Sequence, residues 1–127
     1  MHILIVDDKQ PVREKIAVLL SQLGYTFECA NNGLDALEKA QNATFNLYII
    51  DHLMPVMNGI KLITNLKSRE VTAQVPIIFM STQDISTFTN LPELTLVEQV
   101  ISKPIDEKLF IQHLKQLLVE NSLVHSL

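Results

Sequence analysis

A chain of 127 residues, 47% of them hydrophobic, matches one domain with enough apolar material for a core, which excludes a disordered segment. Its formal charge of -4, with lysines and arginines scattered, excludes the basic face that non-specific nucleic-acid binding requires. The single Cys29 excludes an internal disulfide and fits a reducing compartment, and the apolar runs are far too short to cross a bilayer.

The chain opens on Ile3-Leu4-Ile5-Val6, a continuous apolar run that predicts a buried strand from His2 to Val6. No basic segment precedes a long apolar one, so no signal peptide is expected, and a cytoplasmic location is. Pro11 suits the first turn of a helix, and Val12, Ile16, Leu19, Leu20 and Leu23 recur at helical spacing until Gly24 ends it. Tyr25 to Ala30 alternates Tyr25, Phe27 and Cys29 with polar residues, as an outer strand does, with Cys29 as core filler. Asn31-Asn32-Gly33 is a turn, followed by a short helix from about Leu34 to Gln41.

Leu47 to Ile50 predicts a second buried strand ending at Asp51. Pro55 and Gly59 break the chain before a helix carrying Ile60, Ile63 and Leu66. Pro76 opens a strand over Ile77 to Met80, and Pro92 predicts a short or broken helix within Thr82 to Glu98. A last strand near Gln99 to Ile101 leads to Lys103-Pro104. Asp106 then caps a helix, stapled by Ile105 and Phe110, that buries Leu109, Phe110, Leu114 and Leu117. That helix is expected to fade near Asn121, giving a domain over 1-120 and a short tail over 121-127.

Strand and helix alternate five times, the mark of a parallel sheet covered by helices on both faces. Such folds build their sites from loops at the carboxyl ends of the strands. Those places are Asp7-Asp8, Asp51, Ser81-Thr82 and Lys103-Pro104. Three carboxylates held together repel one another, and they take up protons or bind a cation; an all-oxygen set suits Mg²⁺. Lys103 and Ser81 add an ammonium and a hydroxyl, which make sense if a phosphoryl group sits there. One carboxylate is then the nucleophile, and Asp51 is the natural choice because it ends the central strand beside an exposing turn. Taken singly, each piece reads more simply as a turn, a cap or a solvated loop. The case rests on their convergence.

The succession Ile3-Leu4-Ile5-Val6-Asp7-Asp8, Asp51-His52-Leu53-Met54-Pro55-Val56-Met57-Asn58-Gly59, Pro76-Ile77-Ile78-Phe79-Met80-Ser81 and Lys103-Pro104 resembles the receiver-domain family of two-component signalling, over the chain to about Glu120. The resemblance implies a flavodoxin-like α/β fold with five parallel strands in the order 2-1-3-4-5. It implies that Asp51 is the phosphoacceptor and that Asp8 and Asp51 bind Mg²⁺ through side chains, Leu53 through its backbone carbonyl and Asp7 through water. Ser81 stands at the family's switching hydroxyl, Lys103 would pair with the phosphoryl group or Asp51, and Pro104 would follow a cis bond. The donor it implies is a phosphohistidine on a sensor histidine kinase or phosphotransfer protein. Output would pass to another protein; neither nucleic acid nor membrane is an expected partner, and the resemblance allows a phosphorylation-dependent dimer.

Two positions and one stretch depart from the pattern. Val100 stands where the family commonly has Tyr or Phe, and Thr82 where Ala or Gly is usual. Leu94 to Gln99 lacks a Gly-Ala turn, so the apolar Phe88, Leu91, Leu94 and Leu96 read as core in preference to a partner surface. The apolar Leu53 predicts slow self-dephosphorylation. His52 reads as a solvated loop residue, and His2, His113 and His125 have no metal spacing. A switch-less interaction module and an aspartate-nucleophile phosphatase are the competing readings. The phosphatase is disfavoured because Leu53 stands where such enzymes carry a second aspartate.

Overall fold

The computed structural model describes residues 1-88 and 90-126, with side chains through Val119. Five strands, β1 (His2–Val6), β2 (Thr26–Ala30), β3 (Leu47–Asp51), β4 (Ile77–Ser81) and β5 (Gln99–Ser102), form one sheet in the order β2-β1-β3-β4-β5. Every pairing is parallel, with Val6 opposite Ile50 and Asp51 opposite Met80. The continuous apolar runs take the central places because both sheet faces are covered there. The alternating run takes the edge as β2, starting at Thr26 and not Tyr25.

Successive side chains of a strand point to opposite faces, and this sorts the core into two layers. Leu4, Val6, Tyr48, Ile50, Ile77 and Phe79 pack against α2 (Gly33–Asn42) and α3 (Gly59–Lys67). Ile3, Ile5, Leu47, Ile49, Ile78 and Met80 pack against α1 (Gln10–Gln22) and α5 (Glu107–Ser126). A one-turn helix, α4 (Glu70–Ala73), follows α3 and has no counterpart in the sequence prediction.

Side-chain caps fix where helices begin. Asn32 Oδ1 accepts the Asp35 N–H at 2.8 Å, Asn58 Oδ1 the Lys61 N–H at 2.9 Å, and Asp106 Oδ1 the Leu109 N–H at 3.1 Å. Ile105 and Phe110 are both buried around that last cap, as a hydrophobic staple requires. Gly24, at φ 79°, takes the left-handed turn that stops α1. Cys29 is half-buried against the α1–α5 layer. Among the described residues, no helix is long and apolar enough to cross a membrane.

The short or broken helix expected between β4 and β5 takes the form of two short 3-10 turns, Ile85–Thr87 and Pro92–Leu96. Three other expectations need correction. Phe88 joins the core and Leu94 packs against it, but Leu91 and Leu96 are exposed. Leu109, predicted in the core, is 47% exposed. With no full helix covering β5, a groove of about 340 Å³ opens there, lined among others by Ile85, Val100, Ile101, Leu109, Phe110 and His113. The buried face of α5 is Phe110, Leu114 and Leu118, with Leu117 at its margin. Finally, α5 runs to Ser126, past the expected end near Asn121; Leu127 and the His125 side chain lie outside the described residues.

The loop after β3 is anchored by a close approach of backbone to backbone. A Cβ at Gly59 would stand 2.2 Å from the Asp51 carbonyl oxygen and 3.0 Å from the Phe79 ring. Neither β3 nor a core phenylalanine yields easily. Gly59→Ala is therefore expected to destabilise the protein by about 2-3 kcal/mol. Urea unfolding checks this, and a loss below about 0.5 kcal/mol, the size of an ordinary surface change, would mean the loop moves aside freely.

Candidate functional site

The register of the sheet delivers the acidic residues to one edge. Asp7 and Asp8 follow β1, Asp51 ends β3, and β1 and β3 are neighbours. One carboxylate oxygen from each of the three lies within 4.8 Å of the others. Asp7 is fully buried and Asp51 nearly so, at 4% exposure, while Asp8 is half-buried.

Lys103 enters this cluster from the loop after β5, and the Lys103–Pro104 bond is cis. Its Nζ lies 2.6 Å from Asp7 Oδ2 and 2.8 Å from Asp51 Oδ1, with the side chain only 8% exposed. Asp7 Oδ1 accepts the Lys9 N–H at 2.9 Å, so both oxygens of Asp7 are engaged. Arg13 Nη1 donates to the Asp7 carbonyl at 2.8 Å and Lys9 Nζ approaches Asp8 Oδ1 at 3.4 Å. Neither cation was singled out from the sequence. Pro11 at the start of α1 followed by Arg13 on the face toward β1 is the signal that pointed there.

Burial raises the Asp51 pKa, the Lys103 hydrogen bond opposes the rise, and the charges of Asp7 and Asp8 add to it. Burial also works against the Lys103 ammonium, but its bonds and charge pairing with Asp51 and Asp7 outweigh this and hold its pKa above the ordinary value. Three carboxylates outnumber the buried Lys103 ammonium and the exposed Lys9 ammonium beside Asp8, so negative charge stays in excess. An all-oxygen cluster with that charge fits a hard divalent cation.

The other residues at this edge are arranged differently from one another. Ser81 ends β4 and is fully buried, but the partners of its Oγ are the Gln83 N–H at 3.0 Å and His52 Nδ1 at 2.9 Å. Thr82 is exposed and Leu53 is 49% exposed. Val56, in the same loop, sits at φ 69°, where its Cβ crowds the carbonyl at a cost of about 1-2 kcal/mol.

His52 is not a solvated loop residue. Its ring packs against Phe79 and Phe88, with centroids 5.2 and 4.9 Å away, and burial lowers its pKa. The signal for it was the strand pairing: Asp51 lies opposite Met80, which sets His52 and Ser81 side by side at the next step.

A family model described as the response regulator receiver domain matches residues 3-115. The chain is 37% identical over 107 residues to the Regulator of RpoS of Escherichia coli (strain K12), covering 84% of this chain and 31% of that protein. It is 33% identical over 118 residues to the transcriptional regulatory protein CpxR homolog of Haemophilus influenzae, covering 91% and 49%. The chain thus spans about half or less of the length of these curated relatives. Among solved structures, the chemotaxis protein CheY4 of Vibrio cholerae superposes with a TM-score of 0.84 at 27% identity, over 91% of this chain and 97% of that one.

An acid whose pKa is raised by folding holds its proton more tightly folded than unfolded. Its ionisation costs stability as pH rises from the ordinary carboxylate value through the raised one, and the full cost is reached only above the raised value. Asp51→Asn removes the charge with little change of shape. In metal-free buffer at neutral pH it is expected to stabilise by about 1 kcal/mol, or roughly 4 °C in Tm. Mg²⁺ should raise the Tm of the unaltered chain more than that of the variant. Melts with and without Mg²⁺ check both, and a lower Tm for Asp51→Asn would mean that losing the Lys103 bond outweighs the relieved repulsion.

Proposed function

Because the chain belongs to the response regulator receiver domain family of two-component systems, we propose that its Asp51 is the residue that carries the phosphoryl group. The observation that carries this reading is the Lys103 ammonium shared between Asp7 and Asp51 at the edge of the sheet. Lys103 bonds Asp51 Oδ1, which leaves Oδ2 to attack phosphorus. The new O–P bond forms as the donor's bond to phosphorus breaks. A phosphohistidine leaves as imidazole, taking up a proton, and acetyl phosphate leaves as acetate. The product is an acyl phosphate on Asp51, and water attack at phosphorus later returns the carboxylate and inorganic phosphate.

Asp8 and Asp51 would hold Mg²⁺ through side chains and Leu53 through its backbone carbonyl. Asp7 would reach it through water, since both its oxygens are already bonded. Bound there, the cation supplies neutralisation of charge on the transferring phosphoryl oxygens. Lys103 neutralises a further oxygen, and the Ser81 hydroxyl is the donor available on the β4 side. Thr82, exposed beside Ser81, borders the path by which donor or water arrives.

The phosphoryl donor is a sensor histidine kinase or a phosphotransfer protein, and the modified domain acts on a downstream protein by switching conformation. It turns over no substrate besides its own Asp51. The exposed apolar Leu53 at the mouth of the site gives water no polar handle, which favours a long-lived phosphoryl group.

Incubation with acetyl phosphate and Mg²⁺, followed by intact mass, tests the reading. The expected result is one added phosphoryl group per chain, abolished by chelating the metal and by Asp51→Asn. An unmodified chain, or equal labelling of Asp51→Asn, overturns it. The phosphoryl group should persist for minutes or longer after acetyl phosphate is removed; a lifetime of seconds contradicts the role given to Leu53.

A further inference from the structure

His52 has no part in the chemistry above, yet it is held from every side. Its N–H donates to the Met80 carbonyl and its carbonyl accepts the Gly59 N–H, each at 2.8 Å. Its ring lies on Phe79 and Phe88, which also meet each other at 6.1 Å. Its Nδ1 is 2.9 Å from Ser81 Oγ. A hydroxyl has one proton and two acceptor positions. The Gln83 N–H takes one acceptor position of Ser81. If Nδ1 takes the proton, the hydroxyl has nothing left to give a phosphoryl oxygen.

We propose that His52 is a positioning residue: its Nδ1 accepts a hydrogen bond from the Ser81 hydroxyl in the unmodified protein, and phosphorylation of Asp51 redirects that hydrogen bond and releases the imidazole. The inference rests on Asp51 as the phosphoryl acceptor. It assigns a route by which modification leaves the site. The released ring lies on Phe88, which is 6% exposed and whose N–H donates to the Ile85 carbonyl at 3.2 Å. The Phe88 carbonyl accepts the Leu91 N–H at 3.1 Å, so a shift of the ring is passed to the first turn at Ile85 and to Leu91, which precedes the second.

Two measurements test this. Imidazole nitrogen NMR of the unaltered chain should show His52 Nδ1 as an unprotonated hydrogen-bond acceptor, and beryllofluoride with Mg²⁺ should abolish that signature. A proton on Nδ1, or no change, overturns the proposal. Phosphorylation rates with acetyl phosphate supply the second arm. His52→Phe keeps an aromatic ring but frees the hydroxyl, so it should speed labelling about threefold to tenfold, the size of one ordinary hydrogen bond. In a Ser81→Ala background the same change should have no effect, because no hydroxyl is left to release.

His52→Asn, whose amide takes the place of Nδ1, should return the rate to within about twofold of the unaltered chain, less than a hydrogen bond is worth. It should not restore the beryllofluoride-induced amide shifts of Ile85 and Phe88. Equal effects of His52→Phe in both backgrounds, or none with Ser81 present, would reduce His52 to packing. If the unaltered chain is labelled and His52→Phe behaves like it, this proposal alone fails. If the unaltered chain takes no phosphoryl group, both fall.

Discussion

The buried ammonium of Lys103 is the constraint on which the site depends. It reaches Asp7 at 2.6 Å and Asp51 at 2.8 Å with almost no access to water. Removing the ammonium would leave Asp7 and Asp51 buried without their cation, a loss of about 3-5 kcal/mol in comparable cases. The pairing also fixes geometry, because the three residues come from three strand ends. Asp7 follows β1, Asp51 ends β3 and Lys103 follows β5, so one cation ties the middle of the sheet to its far edge. It does not balance the acidic cluster, however. Negative charge remains in excess, and the pKa of Asp51 is raised first by its burial and then by the charges of Asp7 and Asp8.

The sheet was legible because its signal is physical. A strand covered on both faces must be apolar at every position, and Ile3 to Val6, Leu47 to Ile50 and Ile77 to Met80 are. The parallel order follows from helices lying between them. The acidic edge was legible for the same reason, since Asp7, Asp51 and Ser81 each stand one step past such a run. The 85–96 stretch was not. Pro92 forbids one continuous helix, but nothing in the spacing says that two 3-10 turns form, or that Leu109 then borders a groove. Periodicity identifies the face of a helix and is silent on whether a neighbour exists to cover it.

His52 shows a different limit. Next to an acidic residue in a turn, a histidine is more often solvated than packed. Its environment is made by Phe79 and Phe88, which lie 27 and 36 positions further along the chain. Phe88 was read as core from composition alone, which is correct but gives it no partner. Only the pairing of β3 with β4 brings the imidazole to the Ser81 hydroxyl. Val100, where the resemblance leads one to expect an aromatic, is an aliphatic residue packed at the margin of the same core layer as Phe88. The aromatic side chains beside Ser81 therefore come from β3's loop, β4 and the following turn.

Charge supplies the direction of any switch built on this edge. On the proposed reading, Lys103 and a bound divalent cation would together balance the three carboxylates before modification. Phosphorylation of Asp51 would replace its single charge with a group carrying about two. The edge then has an excess of negative charge and a set of oxygens short of donors. Lys103 can meet one of those oxygens while it stays paired with Asp7, and the Lys9 and Arg13 contacts lie around β1. Of the uncharged donors next to Asp51 across the sheet, Ser81 is the one that is buried and bonded to an exchangeable partner. The imbalance created at Asp51 is thus satisfied most readily by drawing on β4. The chain that follows β4 is two short turns in place of a helix, so it has few internal hydrogen bonds with which to resist.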